Sequence, residues 1–136
     1  MNQSATDDDL AYIRQRIPMY AAYDDEDSAH MTDKQIRAWV GEALGLVRER
    51  LALPSGPTAD RLEDVIFECE FADQKLFVHL DHGAVTRATL AALEAADRTL
   101  IDLAAQAPAV TAETLPELLD AIETQFKTRV ATANAS

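Results

Sequence analysis

His79 and His82 are the residues of this chain best suited by type and spacing to do chemistry. On a helix, two imidazoles three positions apart lie about 60° from each other around the axis. Glu68, eleven positions before His79, and Lys75, four before it, fall on the same side. Two imidazoles and a carboxylate are a donor set for a transition metal, so His79, His82 and Glu68 form a candidate metal site. The competing reading makes the histidines solvated groups near a helix C-terminus, where the dipole favours a cation. A di-metal carboxylate bundle would also carry Glu-x-x-His on two of its helices, and that tetrad occurs nowhere in the sequence.

Other chemistry finds less support. Cys69 stands among apolar residues and between Glu68 and Glu70. Burial and neighbouring negative charge both raise a thiol pKa, which makes an inert structural cysteine the expectation. There is no Gly-x-Ser-x-Gly, and four glycines supply no phosphate-cradling loop. Nothing in the sequence therefore calls for a catalytic residue or a cofactor. The run Asp24-Asp25-Glu26-Asp27 lacks the alternation and central glycine of a calcium loop. It reads as a solvated acidic turn or, with Tyr20 and Tyr23 just before it, as a surface that docks on a basic partner.

These residues need elements to hold them. Leu10, Ile13 and Ile17 give a short first helix that Asp8 or Asp9 would cap and Pro18 would stop. Thr32 and Gln35 have the spacing of a capping box at the start of a second helix. Ile36, Val40, Ala43, Val47 and Leu51 form its stripe, widened by Trp39 and Leu44. Gly41 and Gly45, with Ala38, lie on one side of that helix. Each glycine costs about 1 kcal/mol against alanine there, so a close approach is expected, either to another helix of the chain or across a dimer contact. Pro54, Gly56 and Pro57 mark the connection that follows.

Residues 58–83 support two readings. Leu62, Val65, Ile66, Cys69, Ala72, Leu76 and Leu80 follow helical spacing, with Asp60 as the cap and Gly83 where a terminal glycine belongs. The alternation of Phe67, Cys69 and Phe71, then of Leu76, Val78 and Leu80, instead suits a β-hairpin at about 65–80. Its loop at Ala72-Asp73-Gln74 lacks the residues that take positive φ, so the helix over 61–82 is preferred. In that helix Phe67, Phe71 and Phe77 fall off the main stripe. They are either core of a centrally placed helix or an interface.

Leu90, Leu93, Leu100 and Ala104 give a fourth helix that Pro108 closes. Thr114, Pro116 and Glu117 open a fifth, whose buried face is Leu115, Leu118, Leu119, Ile122, Phe126 and Val130. The expected fold is a single all-α domain over 1–136, a bundle of four to five helices, with flexible tails at 1–8 and 132–136.

Composition bounds the function. The chain has 136 residues, and its 24 acids against 12 bases give a formal charge of −12. Nucleic acid and a bare anionic membrane surface are poor partners for such a charge. One cysteine allows no internal disulfide. The start MNQSATDDDL is no secretory signal, and no apolar window is long enough to span a membrane. A cytoplasmic protein is expected. Three functional readings follow: a non-catalytic interaction or accessory protein with a protein partner or a second copy of itself; a metal or small-ligand binding bundle using His79 and His82; and an acidic inhibitor or immunity-type protein that masks a basic surface.

Overall fold

In a computed structural model, residues 3–23, 26–71 and 87–134 are described. Their element order is α1 (Gln3–Arg16), α2 (Glu26–Leu51), α3 (Pro57–Phe71), α4 (Arg87–Ala105), a 3-10 turn (Ala107–Ala109) and α5 (Leu115–Asn134). There is no strand among the described residues, so the fold is all-α. The hairpin alternative fails from Val65 through Phe71, which are helical. Alternating Phe67, Cys69 and Phe71 imitate a strand, but Leu62, Val65, Ile66 and Cys69 are the residues buried, at helical spacing. The remainder of the hairpin and of the long helix over 61–82 lies outside the described residues.

Two helical hairpins make the body. Arg48 of α2 pairs with Glu63 of α3 at 2.9 Å, and Gly41 lies against Cys69, so α2 and α3 run antiparallel. Arg129 of α5 reaches Asp97 of α4, and Leu93 packs in one cluster with Ala133, so α4 and α5 do too. α1 lies along α4 in parallel, tied by Asp9 to Arg98 and by the Tyr12 hydroxyl to Asp102. α3 is tied to α5 by Arg61, which pairs with both Asp120 and Glu123. Ile13, Ile36, Val40, Leu44, Leu62, Leu100, Leu119 and Ile122 are essentially inaccessible and share one core. Each such side chain contributes roughly 1.5–3 kcal/mol by leaving water.

Several helix ends depart from the sequence reading. α1 begins at Gln3, upstream of the Asp8 or Asp9 cap and within the expected tail 1–8. α2 begins at Glu26, so Thr32 lies inside the helix and does not cap it. The Thr32 hydroxyl instead donates to the Ala22 carbonyl at 2.5 Å. Gln35 accepts from the Ala21 amide at 3.2 Å and donates to the Met19 carbonyl at 2.7 Å. The supposed capping box is a clamp on the α1–α2 connection. α3 starts at Pro57, where a proline loses no helical hydrogen bond, so Asp60 sits in the first turn and does not cap. At α5 the reciprocal hydrogen bonds join Thr111 and Thr114, one turn earlier than expected. α5 also runs through the expected tail at 132 to Asn134 and buries Ala133 completely.

Just past the end of α2 stands Ala52, whose φ of 44° is left-handed and whose amide donates to the Arg48 carbonyl at 3.1 Å. A glycine usually fills that place, since alanine is strained there by roughly 1–2 kcal/mol.

Candidate functional site

α2 packs against α3 on one flank and α4 on the other, and its outer face carries two exposed large apolar side chains. Trp39 is 37% exposed and Leu46 is 62% exposed. Seven residues apart, they lie on one side of the helix. A groove of about 760 Å³ runs along the α3 flank, with Ala38, Gly41, Gly45 and Leu46 on one wall and Ile66 and Cys69 on the other. A smaller cleft of about 260 Å³ lies on the α4 flank, bounded by Arg16, Trp39, Glu42, Leu46 and Ile101.

The two glycines of this face differ. A Cβ on Gly41 would stand 3.1 Å from the Cys69 Cβ, so Gly41 lets α2 and α3 approach closely within the chain. A Cβ on Gly45 would meet nothing within 4 Å, so Gly45 leaves the groove open. Of the two origins expected for the glycine pair, Gly41 has the intramolecular one. At the floor of the groove Cys69 is buried. Its thiol is pushed up to about 12, by burial first and then by Glu68. It is a packing residue with little nucleophilic character at neutral pH.

Beneath α2 lies a buried ionic cluster that the sequence reading missed. Asp97 is inaccessible, and its Oδ2 accepts from the hydroxyls of Tyr20 and Tyr23, each at 2.6 Å. Arg129, 2% exposed, places Nε 2.8 Å from Asp97 Oδ1, an ion pair that lies off the hydrogen-bond axis. Its Nη2 donates to the Tyr23 hydroxyl at 3.0 Å and its Nη1 to Asp33 Oδ1 at 3.2 Å. Arg37 completes the chain, donating from Nε to Asp33 Oδ2 at 2.7 Å. Every partner in this cluster has an opposite charge or a hydroxyl facing it, which is how buried charges are tolerated.

The titrations follow. Burial raises the Asp97 carboxyl, and Arg129 and the two tyrosines only partly oppose it. Burial raises both tyrosine hydroxyls, with Asp97 adding to the rise. For Arg129 burial acts downward, but Tyr23, Asp97 and Asp33 outweigh it and hold the guanidinium up. The cluster joins the α1–α2 connection, α2, α4 and α5 into one body. Through Asp33 and Arg37 it ties α2 to α5 and α4.

The placement of Tyr20 and Tyr23 corrects their reading as a docking surface. They are 3% and 5% exposed and spend their hydroxyls on Asp97. Of the acids beside them, Glu26 and Asp27 open α2, while Asp24 and Asp25 lie outside the described residues. Phe67 is 62% exposed on α3. Phe71 ends that helix, and Phe77 lies outside the described residues. Glu68 is exposed on α3, its carboxyl raised by partial burial and then by Glu123, with Lys127 opposing. His79 and His82 lie outside the described residues. Among the described residues no three His, Cys, Asp or Glu side chains gather as a metal site, and no helix is long and apolar enough to cross a membrane.

Val130, expected on the buried face of α5, is 39% exposed. Arg129 takes the core position instead, seven residues after Ile122 and four before Ala133. The signal for the cluster was this register. Asp33, Asp97 and Arg129 each interrupt an apolar stripe at a core position, with opposite signs on different helices. Compared with known proteins, the chain matches no family model, no curated protein and no solved structure.

Proposed function

We propose that this chain is a non-catalytic interaction protein that offers the outer face of α2 to a protein partner. One observation carries the reading: Trp39 and Leu46 stand exposed on one side of a helix that is otherwise central to the bundle. Single exposed apolar residues are ordinary on protein surfaces. Two on one face, each beside a cleft, make a patch. Tryptophan and leucine beside open grooves provide a rigid apolar anchor, and tryptophan is enriched where binding energy concentrates. The buried ionic cluster supports the reading by holding α2 in place, so little ordering cost is left for binding.

A photo-reactive residue replacing Leu46 tests the proposal in the native host, with the same residue at Thr124 on α5 as control. A discrete adduct from position 46 that disappears on Trp39→Ala, with none from position 124, supports the reading. Equal labelling from both positions, or an adduct indifferent to Trp39→Ala, rejects it.

A further inference from the structure

We infer that the partner seated on α2 is a second copy of this chain, packed antiparallel so that Lys34 of each copy faces the partner's Glu49. The inference rests on the reading that the outer face of α2 docks a protein, and it deepens that reading by naming the occupant.

Charge and register both point there. At −12 overall, two copies repel each other over most of their surface. The α3-flank groove is different: Lys34, Arg37 and Arg48 line it together with Glu42, Glu49 and Glu70. Lys34 and Glu49 are exposed, and neither has an ion-pair partner among the described residues. They stand about 22 Å apart along α2 at 1.5 Å per residue, one before Trp39 and the other after Leu46.

The order of residues is self-complementary. The midpoint between Lys34 and Glu49 falls between Gly41 and Glu42. Ala38 and Gly45 share that midpoint, and Trp39 and Leu46 have theirs one residue further on, an offset of about 1.5 Å. One two-fold axis near residue 42 therefore brings Lys34 to the partner's Glu49, twice, and Trp39 near the partner's Leu46, twice. Ala38 and the open Gly45 near the axis let the two backbones come close. A parallel pairing would instead set lysine on lysine and glutamate on glutamate. Glu42 opposes this arrangement, because it sits almost on the axis and faces the partner's Glu42. Its repulsion keeps the association reversible, and neutralising it should tighten the pair.

Sedimentation equilibrium of the full chain, run from low micromolar to several hundred micromolar, tests the inference. The expected result is a reversible dimer of twice the 14.9 kDa chain mass. Lys34→Glu or Glu49→Lys alone turns two attractive pairs into two repulsive ones and should weaken dimerisation by about tenfold or more. The double variant Lys34→Glu/Glu49→Lys should recover wild-type affinity, and Glu42→Gln should exceed it. Both charge-reversal sites are exposed, and circular dichroism shows whether the variants stay folded. A chain that is monomeric at every concentration overturns the inference; so does a dimer that the double variant fails to restore. If the chain is monomeric while position 46 still labels a different protein, the second-copy assignment falls and the interaction reading stands.

Discussion

Arg129→Met removes the cation that holds the buried cluster together. Methionine nearly fills the same volume, so the cost is electrostatic and leaves little cavity. The variant loses the ion pair with Asp97, the bond to Asp33 and the bond to the Tyr23 hydroxyl. Asp33 keeps Arg37, and Asp97 keeps its two tyrosines. Breaking a buried pair from one side costs about 3–5 kcal/mol, and the surviving contacts place this case near 3. A domain has about 5–15 kcal/mol in hand, so the variant folds, measurably weakened. Urea unfolding followed by circular dichroism should show a lower midpoint at an unchanged slope.

The pH dependence gives a second readout. Asp97 has a folded pKa raised above its unfolded value, roughly 3.9. Its contribution to stability is full below the unfolded value and is lost as pH rises through the raised folded value. Without Arg129 the carboxyl rises further, so the stability difference between mildly acidic and neutral pH should widen. A loss under 1 kcal/mol, or a pH profile parallel to wild type, would refute the account of the cluster.

The remaining predictions concern single positions. Ala52→Gly relieves the left-handed φ at an exposed site and should stabilise the chain by about 0.5–1 kcal/mol in thermal unfolding. Gly45→Ala should stabilise the monomer by about 0.5–1 kcal/mol, because its Cβ enters open space. Gly41→Ala should destabilise by about 1 kcal/mol, because the new Cβ presses on Cys69 and α3 must shift. The Cys69 thiol, pushed up to about 12 and buried, should react with a disulfide reagent only as fast as the chain opens. Fast labelling of native protein would contradict that burial.

The apolar stripes of α2 through α5 were legible because helical period and burial coincide at Ile36, Val40, Leu44, Leu62, Leu93, Leu100 and Leu119. Helix starts were less so. Thr32 and Gln35 have the spacing of a capping box, but their side chains answer carbonyls and an amide of the preceding connection, which local spacing does not encode. The tyrosines were misplaced for a related reason. Beside four acids they look like surface residues, yet their hydroxyls meet Asp97, 77 and 74 positions away. A charged residue on an apolar stripe was visible at positions 33, 97 and 129, and pairing them required the topology. For the candidate surface, the spacing of Gly41 and Gly45 announced a close approach. Which glycine faces a neighbour depends on where α3 crosses, and only the packing decides that.

The most direct test of the α2 face is a dilution series of amide spectra by nuclear magnetic resonance. If this face is the working surface and its occupant a second copy, concentration-dependent shifts should gather between Lys34 and Glu49, with α5 and the outer side of α1 unmoved. Shifts centred on α1 or α5, or spectra that do not change with concentration, would contradict it.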